Sequence, residues 1–188
     1  MTLRLLLLGC MLGLTGAAHA ALPNEPVERI DLARYLGTWH EVARMPNRYQ
    51  EDCVSGTTAT YLRGEDGEIV VRNACTTGDG ERISVDGVAR EVVSGSGNLQ
   101  VRFAPRWLAW LPVWADYWVL DLDPDYRWAV VGGPTRKFLW VLARDPQLDP
   151  DVFDGIKARA AARGYAVERL WVADTLRNAP EQRVAQGR

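Results

Sequence analysis

The chain has 188 residues, 22 of them basic and 24 acidic, and 47 % of it is hydrophobic. A formal net charge of −2 provides no electrostatic reason for nucleic acid or an anionic membrane as partner. The length suits one domain with a sizeable core, and no internal repeat or second domain is visible. Arg4 precedes an apolar run over 5–14, and Ala18-His19-Ala20 has the small-residue form of a cleavage site. That run is too short to span a bilayer, so residues 1–20 read as an export signal. Leu7-Leu8-Gly9-Cys10 loosely looks like a lipoprotein processing site. Cleavage after Ala20 is preferred to a lipid anchor at Cys10, because so little chain precedes the cysteine and the apolar run continues past it.

Residues 21–29 are polar with prolines and read as a flexible lead-in. Asp31 suits the cap of a short helical turn over 32–35. Strand signals separated by turn residues follow at 39–44, 57–62, 68–74, 82–91, 99–103, 117–122, 128–132 and 138–143. Eight strands are the number at which a closed barrel can hold one small ligand, and closure removes exposed sheet edges. The pattern then turns helical. Asp149 is the expected N-cap and Pro150 the first helical residue; Val152, Phe153, Ile156 and Ala160 form the apolar stripe, and Gly164 is the stop. A last short strand is expected over 167–172, and a disordered tail from 174 to 188. Cys53 and Cys75 are an even pair in a chain read as exported, and the turn around Gly64 lies midway between them. A hairpin there sets them opposite each other, which predicts a disulfide contributing ~2–4 kcal/mol.

Three motifs recur in order: Gly37-Thr38-Trp39, Asp123-Pro124-Asp125-Tyr126 and Arg144. With Tyr35 to Arg44, Thr58-Ala59-Thr60-Tyr61 and Phe138 to Arg144, they make the chain resemble the lipocalins over about 30–171. In particular it looks like the bacterial branch of small envelope lipocalins related to apolipoprotein D. The resemblance implies an all-β, eight-stranded antiparallel up-and-down barrel over 30–173, with one helix packed outside. It implies a floor built from Gly37, Trp39, Asp125, Tyr126 and Arg144, in which the guanidinium lies over the indole. It also implies a periplasmic or outer-membrane location.

Strand alternation assigns the faces. Taking Trp39 and Arg144 as inward places Glu41, Ala43, Met45, Leu142, Trp140 and Phe138 inward as well. The resemblance adds Ala59, Tyr61, Val71, Asn73, Tyr117, Val119, Asp121, Ala129 and Val131. Small residues beside aromatic ones leave volume with flat apolar walls, which is what an apolar ligand needs. Glu41, Asn73, Tyr117 and Asp121 either satisfy one another or meet a ligand's hydroxyl or head group. Arg44 and Arg48, near the mouth, suit an anionic head group.

Between the fifth and sixth strands, residues 105–114 carry Trp107, Leu108, Trp110, Leu111 and Trp114 between prolines. Counted from Trp39 at the floor, this connection falls at the open mouth. It reads as a lid, a wedge into a lipid surface, a dimer contact or an inward-folded piece of core. His40 is the only histidine after the leader, no spacing suggests a metal site, and no cofactor is expected. The expected function is noncatalytic binding and transport or storage of small hydrophobic ligands, fatty acids and lysophospholipids in the first place. Two alternatives stand beside it: an enzyme on a lipid or isoprenoid substrate using Glu41, Tyr61, Tyr117 and Asp121, and a membrane-surface module acting through 105–114.

Overall fold

A computed structural model describes residues 21–65, 67–103 and 113–177. The Asp31 carboxylate accepts from the amides of Ala33 and Arg34 and so starts the helical turn α1, Leu32–Tyr35. Gly37 then reverses the chain at φ +96° into the first strand, and a Cβ there would meet the Arg144 guanidinium at 3.2 Å. Eight strands follow: β1 Gly37–Arg44, β2 Ser55–Arg63, β3 Ile69–Thr76, β4 Arg82–Glu91, β5 Asn98–Arg102, β6 Ala115–Leu122, β7 Trp128–Gly132 and β8 Trp140–Ala143. Each pairs antiparallel with the next, and β1 pairs with both β8 and β2, so the sheet closes into the expected barrel. Since β1 leaves the floor beside α1, the β1–β2, β3–β4 and β7–β8 connections lie at the mouth, as do the end of β5 and the start of β6.

Two apolar clusters result. One fills the barrel around Trp39, which is fully buried. The other lies outside, between the sheet and helix α2, Pro150–Ala162. Asp149 caps this helix and Phe153, Ile156 and Ala160 face the sheet. Burying the two larger side chains contributes ~2 kcal/mol each.

The helix-covered wall carries two β-bulges, and these correct the alternation. In β1, Glu41 faces Leu142 but Ala43 faces Val141, with Val42 as the extra residue. Val42, Ala43 and Met45 therefore join the outer cluster, and Arg44, opposite Trp140, turns inward. In β6, Val119 faces Val131 but Asp121 faces Val130. Asp121 thus points outward, where Arg159 of α2 holds it at 2.6 Å.

Both termini of the described chain are more ordered than expected. The lead-in is not free: Leu22 donates to Ala162 O and Val27 to Val119 O, while Gly97 donates to Val27 O. Gly97 is required there, since a Cβ would stand 2.7 Å from Val27 Cγ2 and 2.8 Å from Val119 O. At the other end, Val167–Arg169 is a 3-10 turn, and only Trp171–Val172 forms a strand, β9, paired with Ala43 and Arg44. Asp174–Arg177 continues as a helical turn, α3, with Leu176 buried in the outer cluster, so the polar tail does not begin at 174.

Cys53 and Cys75 form the disulfide, tying the β1–β2 connection to β3. Replacing both by serine is expected to remove about 3 kcal/mol. The measurement is the guanidinium midpoint, with unchanged far-ultraviolet dichroism; a midpoint equal to that of the parent protein would contradict it.

Candidate functional site

The floor is built from backbone carbonyls and one guanidinium. Arg144 donates to Thr38 O at 2.9 Å, to Arg34 O at 2.7 Å, to Leu36 O at 2.8 Å and to Tyr35 O at 3.2 Å. It covers Trp39 with its Cζ 3.8 Å from the ring centroid. The indole in turn donates to Tyr35 O at 2.8 Å. The carbonyls that a short helix leaves unpaired are thus satisfied by one side chain from β8. Tyr126, at φ +60°, accepts from the Asp31 amide, and Arg34 lies over its ring. Asp125 is exposed and makes no side-chain bond among the described residues. The organising acid of that turn is Asp123, which is buried and bound to Arg127 and to two backbone amides. Arg127 keeps its carboxyl below the usual carboxylate range.

Above the floor, three phenols meet inside the barrel. The Tyr117 hydroxyl lies 2.8 Å from that of Tyr35 and 2.6 Å from that of Tyr61. Burial pushes all three well up, so they stay neutral. Val71, Val119, Ala129 and Val131 pack in the same cluster, with Ala59, Tyr117 and Trp140 at its edge. Asn73 sits between Ala59 and Val85 in register, and its Oδ1 is buried with no partner.

Toward the mouth the walls differ. On β4, the inner-face positions after Ala89 and Gly87 are Val85 and Ile83, and the Phe103 ring lies where a Gly87 Cβ would stand. These inward apolar side chains are exposed: Val85 48 %, Ile83 37 % and Phe103 37 %. Across from them, Tyr49, Phe138 and Trp140 form an aromatic file, with Phe138 and Trp140 stacked at 5.7 Å and 12°.

This file ends on a buried polar network. Gln50 accepts from the Trp140 indole at 2.8 Å and donates to Glu41 Oε2 at 2.7 Å. Arg44 pairs with Glu41 Oε1 at 2.7 Å, donates to Cys53 O at 2.9 Å, and lies 4.0 Å from the Trp171 ring. Burial raises the Glu41 carboxyl, against the pull of Gln50 and Arg44. Glu41 and Arg44 therefore hold the mouth connection in place, and both are engaged within the protein. Trp114 lies on the outer wall between the guanidinium groups of Arg90 and Arg102, at 4.0 and 4.7 Å. Trp107, Leu108, Trp110 and Leu111 fall outside the described residues.

The motifs contain Tyr35 and Asp123 but assigned them no part in the site, Gln50 was passed over, and Arg44 serves Glu41 rather than a head group. No local signal pointed to the Glu41–Arg44 pair, since residues three apart in a regular strand face opposite ways and only the bulge at Val42 turns both inward. The four groups considered for acid–base chemistry are not assembled: Asp121 is outside, Glu41 is paired, and only Tyr61 and Tyr117 touch. Among the described residues no cluster of three or more His, Cys, Asp or Glu is placed to hold a metal ion.

A closed antiparallel barrel, plugged at one end by a stacked Trp–Arg pair and lined with exposed apolar side chains at the other, is a single-chain β-calyx. Residues 30–175 match the family described as the lipocalin-like domain, and the chain belongs to that family. Temperature-induced lipocalin-1 of Arabidopsis thaliana is 35 % identical over 164 residues, 86 % of this chain and 88 % of that protein. The outer membrane lipoprotein Blc of Escherichia coli K12 is 34 % identical over 175 residues, 86 % and 96 % respectively. The structure of the cockroach allergen Per a 4 superposes with a TM-score of 0.61 at 16 % identity, covering 82 % of this chain and 94 % of that one.

Proposed function

We propose that the barrel binds and carries or stores single-chain lipids, fatty acids or lysophospholipids, in the cell envelope, without altering them. The observation that carries this reading is the row of exposed apolar side chains on an inner wall, Val85, Ile83 and Phe103. Inward apolar surface left exposed gains ~0.8 kcal/mol for each methylene it removes from water. Ten methylenes supply about 8 kcal/mol gross, and the cost of ordering the ligand brings the net to roughly micromolar affinity. The family is known for small hydrophobic ligands, and relatives named as outer membrane lipoproteins support an envelope location.

Fatty acids of 12 to 18 carbons should change the tryptophan emission saturably, since Trp140 lies on the wall. Val85→Asp should weaken that binding about tenfold or more, because it puts a charge against the chain. No saturable response to any of these lipids, or an unaffected Val85→Asp variant, would contradict the proposal. Tyr49 and Val113 at the mouth, 68 % and 63 % exposed, favour a second reading in which the rim rests on a lipid surface.

A further inference from the structure

Strands β2 and β6 are four places apart in a ring of eight, so Tyr61 and Tyr117 reach inward from opposite walls. Their hydroxyls meet at 2.6 Å, and Tyr35 joins from α1 at 2.8 Å. The three phenols make a bar across the barrel. Beneath it, Leu32, Leu36, Ile69, Ala89 and Leu99 enclose with the rings a cavity of only ≈10 Å³. That space is smaller than an acyl chain needs, and its wall is apolar. Above the bar the lumen is exposed at Val85 and Phe103.

Donors can be counted. Three phenols carry three hydroxyl hydrogens, and the two bonds between them use two. These hydroxyls make no other hydrogen bond among the described residues, so one hydrogen is left over. Burial keeps every phenol protonated, so this donor persists across the physiological range.

Resting on the carrier reading above, we propose that the Tyr61–Tyr117 bar is the working floor of the site and determines its specificity. It stops the ligand above Trp39 and favours an apolar chain whose buried end carries a hydrogen-bond acceptor over one ending in a methyl group. A methyl end would cover the spare hydroxyl without satisfying it.

The test compares two lysophosphatidylcholines of equal acyl length, one with a terminal hydroxyl on the chain and one without. The phosphocholine head keeps the chain end downward. The native protein should bind the hydroxylated lipid about fivefold more tightly. The double variant Tyr61→Phe with Tyr117→Phe retains both rings, and should lose the preference while keeping the same optimum chain length. Tyr117→Leu, with folding checked by near-ultraviolet dichroism, removes one arm of the bar. Its optimum for plain lysolipids should lengthen by roughly two to four carbons. Equal affinities in the native protein, or an unmoved optimum in Tyr117→Leu, would overturn the inference while leaving the carrier reading intact. Saturable binding of neither lysolipid would overturn the inference, and with no fatty acid bound either it would overturn both.

Discussion

Trp39→Ala is expected to cost about 4 kcal/mol, a large share of the stability of a domain this size. The indole is fully buried, so its removal loses transfer energy and leaves a cavity at the narrow end of the barrel. A second loss follows through Arg144. Its guanidinium stacks on the indole while holding four carbonyls of the α1–β1 segment. Without the ring it loses its platform, worth about 1–2 kcal/mol when desolvated. Trp39→Phe preserves an aromatic face but not the donor to Tyr35 O, and should fall between the two. Denaturant midpoints of the three proteins give the order. An alanine variant within 1 kcal/mol of the parent would show that the plug is not a keystone of the barrel.

Glu41→Ala is the second large effect, about 3–5 kcal/mol, because it leaves the Arg44 guanidinium buried without its carboxylate. The side chain of Gln50 also loses its acceptor, so the mouth connection should become more mobile, visible as faster amide exchange around residue 50. Glu41→Gln isolates the charge. Since burial raises the native carboxyl above its ordinary value, the folded chain retains this proton to higher pH than the unfolded chain. The stability linked to that proton is fully present below the unfolded pKa and is lost as pH rises through the raised native value. The stability of the glutamine variant relative to the parent should therefore improve as pH rises from the ordinary carboxylate range through the raised native value. Asp123 works in the opposite sense: its carboxyl is held low by Arg127, so its contribution is lost as pH falls. A constant difference between Glu41→Gln and the parent over that range would rule out the titration.

Much of the architecture is local information. Apolar alternation, turn residues and the cap at Asp149 mark strands and helix to within a few residues, because each depends on neighbours in the chain. The cysteine pair was legible because a hairpin turn lies midway between its members. The site was less so. Extrapolating from Trp39 holds as far as Glu41 and then fails at Ala43, since one extra residue reverses every later side chain. The same slip sends Asp121 to Arg159 on α2.

The residue order alone therefore determined a closed eight-stranded barrel, its plugged end, its outer helix and its crosslink. The strands, the helix and the crosslink follow from period, turn chemistry and spacing, whereas barrel closure and the plugged end are what the resemblance of its motifs to the lipocalins implied. Tertiary structure alone decided which side chains of β1 and β6 face the lumen, that Gln50 descends to Glu41, and that phenols from opposite walls meet above the floor. Such contacts depend on register between distant strands and on packing beneath α2. Those energies involve residues dozens of positions apart, and no local pattern encodes them.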